Sequence, residues 1–153
     1  MVVAIKKYSE IPDIDKLCKI VSKQMDFIGS EKNMENVKDA VKNALRGETK
    51  VIFFLSLNEK MDICGFAFGN ISSGLETGAD YFWLNELHVE SEHRRKKVAT
   101  EIITFMENWA EENNIKYIAA MTDKTNKNAA EFYKKMGYEV SEVLWVDKRI
   151  GKK

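Results

Sequence analysis

Glu86 and His88 stand two residues apart in the apolar stretch from Tyr81 to Val89. A carboxylate raised by burial, or an imidazole, can accept a proton near neutral pH. The two together place groups able to carry proton chemistry near the end of one strand. A few residues on, His93, Arg94, Arg95, Lys96 and Lys97 form an unbroken basic run. The run ends where helical periodicity begins, at Val98, Ala99 and Thr100, so cations and the free N–H groups of a first helical turn come together there. That donor set suits a phosphate. Glu92, beside the run, reads as a solvated turn residue, and His93 as a further phosphate contact. Farther along, Tyr133 offers a phenol that is neutral at pH 7 and able to give up a proton. Each of these residues has a plainer reading as well. Glu86 also suits a cross-strand ion pair, His88 a satisfied histidine near a sheet edge, Tyr133 a core aromatic, and the basic run a solvated turn.

The elements that must hold these groups follow from periodicity. Val2–Ile5 reads as a strand. Pro12 and Asp13 open a helix that carries Ile14, Leu17, Cys18, Val21 and Met25 on one face and stops at Gly29. A second helix is capped by Asn33, carries Met34, Val37, Val41, Ala44 and Leu45, and ends at Arg46–Gly47. Lys50–Leu57 and Ile63–Phe68 are strand-like and joined through Asn58–Asp62. The small and polar residues from Ser72 to Asp80 predict a loop, and Tyr81–Val89 a third strand. Period two puts Phe82, Leu84, Glu86 and His88 on one face of it, unless a bulge intervenes, and Tyr81, Trp83, Asn85, Leu87 and Val89 on the other.

After the basic turn, Val98, Ile102, Phe105, Met106 and Trp109 give a helical stripe that Asn113–Asn114 closes, and Tyr117–Met121 gives another strand. Strand, helix and strand form one βαβ unit, which implies a parallel pair with a crevice at its carboxyl end. Asn126 caps a last helix bearing Ala129, Ala130, Tyr133 and Met136 and closed by Gly137. Tyr138–Val143 and Leu144–Ile150 read as two final strands.

Composition narrows the function classes. A chain of 153 residues with 44% hydrophobic content fits one domain. Lys plus Arg and Asp plus Glu both number 24, so the basic run is a local feature and not part of a general polyanion-binding face. No nucleic-acid partner is expected. Met1–Ile5 is too short for a signal segment and no run reaches membrane-spanning length, so the expectation is a cytoplasmic protein without a membrane partner. Cys18 and Cys64 are the two cysteines, each flanked by apolar residues, and read as buried thiols, with no metal ligand set.

The order of elements resembles the GNAT superfamily of acyl-CoA-dependent N-acetyltransferases, over nearly the whole chain. Two motifs carry the resemblance. The pattern Q/R-x-x-G-x-G/A, which holds pyrophosphate at the start of the central helix, aligns with Arg94-Arg95-Lys96-Lys97-Val98-Ala99. The pattern N-x-x-A-x-x-x-Y-x-x-x-G-F/Y aligns with Asn126, Ala129, Tyr133, Gly137 and Tyr138. The second match is complete. In the first, Lys97 stands where the family has glycine. Right-handed helical torsions at Lys97 would keep the strain small and let the side chain swing out as an added charge.

The resemblance implies an α/β (α+β) fold, a mixed sheet of about six or seven strands flanked by about four helices, with a splayed parallel pair. It implies acetyl-CoA as the acyl donor, with no metal. Backbone groups of Leu87 and Val89 would meet the thioester and pantetheine, with Ser91 guiding the arm. Arg94, Arg95, Lys96, Lys97, Val98, Ala99 and Thr100 would hold the pyrophosphate, and Asn126 and Ala129 would contact the cofactor. Tyr133 would protonate the departing thiolate, and Glu86 with His88 would serve as base. The acceptor would be a primary amine, with specificity from Phe27–Asn33, Ser72–Asp80 and Ser141–Trp145. Glu76, Asp80 and Glu86 would line an acidic route for a cationic amine. The run Glu92–Arg95 followed by Val98–Thr100 is similar to that of aminoglycoside N-acetyltransferases, while a polyamine, an amino sugar, a protein N-terminus or a lysine fits as well. A non-catalytic acyl-CoA-binding or regulatory module is the alternative, and a homodimer is the oligomer the resemblance suggests.

Overall fold

The computed structural model describes every residue except 31–32, 48–49 and 152–153. It divides into two compact units, Met1–Met121 and Thr122–Lys153. In the first unit β1 (Val2–Ile5) precedes α1 (Ile14–Phe27) and α2 (Met34–Ala44). Then come β2 (Val51–Leu57), β3 (Ile63–Gly74), β4 (Ala79–Val89), α3 (Val98–Glu112) and β5 (Tyr117–Ala120). The sheet order is β1-β2-β3-β4-β5, antiparallel except for the β4–β5 pair.

The helix ends are set by local chemistry. Asp13 accepts from the Lys16 N–H at 2.9 Å and Asn33 from the Asn36 N–H at 2.8 Å, each satisfying a first-turn donor. Pro12 precedes the cap instead of standing inside the first turn. After α1, Gly29 turns the chain with φ +75°. The loop Phe27–Asn33, expected to bear on specificity, contains residues 31 and 32, which lie outside the described residues.

Two apolar layers sandwich the sheet. On one side Leu17, Cys18 and Ile20 of α1 and Val37 and Val41 of α2 pack on Phe53, Leu55 and Phe66. On the other, Phe54 and Phe82 meet Trp109 of α3 edge to face, at 5.3 and 5.9 Å between centroids. Cys18 and Cys64 are buried free thiols, as their neighbours in sequence imply.

The expected loop Ser72–Asp80 is mostly strand. β3 runs on to Gly74 and β4 begins at Ala79, leaving a tight connection over 75–78 with Gly78 at φ +63°. Ser73 and Asp80, read as loop residues, pair across this hairpin, and the Ser73 hydroxyl donates to the Asp80 carboxylate at 2.6 Å. Small polar residues favour turns, but a two-sided ladder overrides that local preference.

In the second unit α4 spans Lys127–Lys135. The Asn126 side chain accepts from the Ala129 N–H at 3.1 Å, and Gly137 at φ +90° ends the helix. The two strands expected over Tyr138–Ile150 are absent among the described residues, so the sheet has five strands and not six or seven. Val143, Leu144 and Val146 are 70%, 94% and 88% exposed. Strand propensity without a hydrogen-bonded neighbour does not make a strand. No helix among the described residues is long and apolar enough to cross a membrane.

Candidate active site

The site is shaped by an irregularity in β4. Phe68 pairs with Glu86 and Gly69 with Leu84, so Asn85 is an extra residue bulged out of the ladder. Before the bulge, Phe82 faces α3. After it, Glu86 and His88 stand opposite Phe68 and Phe66 and reach α1. The single face expected for Phe82, Leu84, Glu86 and His88 is therefore broken between the two halves, although Glu86 and His88 do share a side. Gly69 permits the close approach: a Cβ there would lie 2.3 Å from the Trp83 carbonyl oxygen.

The two halves also differ at the β5 edge. Pairing of β4 with β5 runs from Tyr81–Tyr117 to Leu84–Ala120 and stops. Asn85–Val89 therefore continues beyond the end of β5, with no partner on that side. Just past this stretch, the Arg94 Nε–H donates to the Val89 carbonyl at 2.9 Å and pins the turn to the strand end.

A polar chain links the outer half of β4 to α1. The Gln24 Nε2–H donates to Glu86 Oε2 at 2.7 Å, and Gln24 Oε1 lies 3.0 Å from His88 Nδ1. His88 Nε2 lies 3.6 Å from Glu90 Oε1, and the Lys23 ammonium donates to the other oxygen of Glu90. His88, Gln24 and Glu90 are 7%, 8% and 1% exposed. Burial pushes the Glu86 carboxyl above its ordinary value, against the Gln24 hydrogen bond. Burial, helped by the Arg94 charge, holds the His88 imidazole below its ordinary 6.5 although Glu90 opposes it, so the ring is mainly neutral at pH 7. Burial works against the charge of Glu90, but the Lys23 ammonium outweighs it and holds that carboxyl down.

The basic turn opens on α3. The first helical bond joins the Glu101 N–H to the Lys97 carbonyl, and no side chain caps the helix, so the N–H groups of Val98, Ala99 and Thr100 have no partner within it. Arg94, Arg95, Lys96 and Lys97 are exposed around that end. The Lys97 backbone is left-handed, with φ 65° and ψ 9°, and Arg95 is left-handed too, with φ 59°. The right-handed torsions that would keep the strain small are therefore not the ones Lys97 adopts. An L side chain in this conformation costs about 1–2 kcal/mol, which glycine avoids. Lys97→Gly is accordingly expected to raise the melting temperature by about 2–4 °C, roughly 1 kcal/mol at this chain length, in a circular dichroism melt. An unchanged or lower midpoint would mean that the side chain offsets the strain.

Exposed Glu92 lies 3.9 Å from the half-buried His93 imidazole at the turn. Asn126, Ala129 and Tyr133 belong to the second unit, where the Tyr133 ring packs between Phe132 and Tyr138 at 5.5 Å from each. Gln24 and Glu90 were not singled out in the sequence. For Gln24 a signal existed, since it continues the buried row Leu17, Ile20 as a polar residue on an apolar helix face. Among the described residues no three His, Cys, Asp or Glu side chains gather as a metal site.

Among solved structures, a probable acetyltransferase matches with TM-score 0.85 and 20% identity over 100% of this chain and 99% of that one. A possible acetyltransferase from Clostridium difficile 630 matches with TM-score 0.80 and 18% identity over 99% of each chain. An aminoglycoside N-acetyltransferase in complex with CoA matches with TM-score 0.79 and 15% identity over 98% of this chain and 95% of that one. At these identities the likeness is one of fold. No curated protein sequence matches the chain. The model of the acetyltransferase (GNAT) family matches residues 14–138, most of the chain, and the chain belongs to that family.

Proposed function

We propose that the chain moves an acetyl group from acetyl-CoA to a primary amine by direct attack in a ternary complex. The observation that carries this reading is the end of β4, paired with β3 but without a partner on its β5 side, which leads within a few residues to the uncapped N-terminus of α3. The donors there fit a pyrophosphate: three backbone N–H groups, of Val98, Ala99 and Thr100, beside the cations Arg94, Arg95, Lys96 and Lys97. Acetyl-CoA, when bound, supplies an acyl thioester whose carbonyl carbon is open to the amine. The backbone of Leu87 and Val89 orients the thioester and donates to its oxygen as charge develops. Asn126 and Ala129 bind the pantetheine arm. Glu86 takes the proton of the amine at a carboxylate oxygen, directly or through water shared with His88, and Tyr133 gives its hydroxyl proton to the leaving sulfur.

Aminoglycoside acetyltransferases share this fold, and a small cationic amine such as an amino sugar or polyamine is the acceptor class we favour, with Glu76, Asp80 and Glu86 as its acidic approach. Acetyl-CoA is expected to raise the melting temperature, since a ligand bound only by the folded state contributes about 2.7 kcal/mol at a hundredfold excess over Kd. Release of free thiol over a panel of aminoglycosides, polyamines and peptides then identifies the acceptor. No thermal shift at millimolar acetyl-CoA overturns the reading. The left-handed Lys97 favours a second reading, a module that binds acyl-CoA without turnover. A thermal shift with no thiol release from any amine would select it.

A further inference from the structure

Gln24 touches both groups proposed to handle the proton, and its amide can be oriented in only one way. Its Nε2 faces Glu86 Oε2, which when ionised only accepts, so its Oε1 faces His88 Nδ1. An oxygen at that point requires a proton on Nδ1. The neutral ring must then carry its lone pair on Nε2, which points to Glu90 Oε1 at 3.6 Å. These two atoms, His88 Nε2 and Glu90 Oε1, are buried and have no hydrogen-bond partner. A proton placed on Nε2 would satisfy both at once.

We propose that Gln24 is a positioning residue that couples Glu86 to His88: it holds Glu86 ready to accept, fixes His88 as the Nδ1–H tautomer, and leaves Nε2, beside Glu90, as the cluster's second proton site. This inference rests on Glu86 being the base. The charges agree with it. Glu86 and Glu90 as carboxylates with the Lys23 ammonium leave the cluster at one negative charge, and one proton taken from the acceptor brings it to neutrality. The remaining surroundings are Arg94, whose charge acts on His88, Lys16, whose charge acts on Glu90, and the rings of Phe66 and Phe68 on β3.

The test reads the tautomer and the pH profile. The chain has two histidines, at 88 and 93, so a His93→Asn variant assigns their nitrogen-15 resonances. The native protein at pH 7 is expected to show His88 protonated at Nδ1 and bare at Nε2, and the reverse tautomer overturns the proposal. In Gln24→Leu the tautomers should mix, kcat should fall about 10- to 100-fold, and the acid limb of kcat/KM should move to higher pH as Glu86 loses its donor. The shift in melting temperature given by acetyl-CoA should stay as in the native protein. A Gln24→Leu variant that folds and keeps the native pH profile also overturns the proposal. Should no amine be turned over at all, the proposed activity fails while the tautomer measurement still decides the role of Gln24, and it decides it even if Gln24→Leu does not fold.

Discussion

Replacing Tyr133 by phenylalanine is expected to lower kcat about 10²- to 10³-fold and to leave acetyl-CoA binding nearly unchanged. The reasoning starts from what the substitution removes. Only the hydroxyl goes, while the ring that packs edge to face on Phe132 and Tyr138 remains. The ring packing of the helix should therefore persist, and the cap at Asn126 and the turn at Gly137 are untouched. What is lost is a neutral acid that can stay beside sulfur at pH 7 without a buried charge. An alanine at the same position would mix this loss with a packing defect. Steady-state rates of thiol release, measured beside the thermal shift with acetyl-CoA, separate chemistry from binding. A kcat within twofold of the native value would remove Tyr133 from the reaction.

The order of elements from β1 to α4 and most of the helix ends were legible because they depend on local chemistry, whereas the two strands expected over Tyr138–Ile150 are absent among the described residues. Asp13, Asn33 and Asn126 each cap the helix that follows them, and Gly29 and Gly137 each take a positive φ where an apolar stripe ends. Where β5 stops beside β4 was not legible, because nothing in Tyr81–Val89 or Tyr117–Met121 says how far two parallel strands pair. The bulge at Asn85 escaped a period-two reading, since an extra residue in a ladder is a property of two strands and their register. That one residue decides which side of the sheet Glu86 takes: without it Glu86 would lie on the same side as Phe82, toward α3, away from Gln24. Lys97 failed differently. The motif marked it as unusual, but whether the backbone there was right- or left-handed depends on how the turn joins β4 to α3, and the side chain's own preference pointed the wrong way.

Glu86→Gln is expected to reduce kcat/KM by about 10²- to 10⁴-fold and to abolish the acid limb of its pH profile. The variant keeps the shape of the side chain, and the Gln24 amide can still bond it, so the fold and the contact between α1 and β4 should survive. The direction of the pH dependence follows from the burial of the carboxyl. A base works in its ionised form, and Glu86 ionises only at a pH above the ordinary carboxylate value because burial disfavours its charge. Native kcat/KM should therefore climb as pH rises through that elevated value and level off beyond it. The alkaline limb reports a different event, the titration of the acceptor's own ammonium near pH ~10, and should be common to both proteins. His88 cannot stand in fully for the missing carboxylate, because its open nitrogen points toward Glu90 while Gln24 occupies the other. A Glu86→Gln protein that retains the acid limb at its native position would assign that limb to another group, with His88→Asn the next variant to measure.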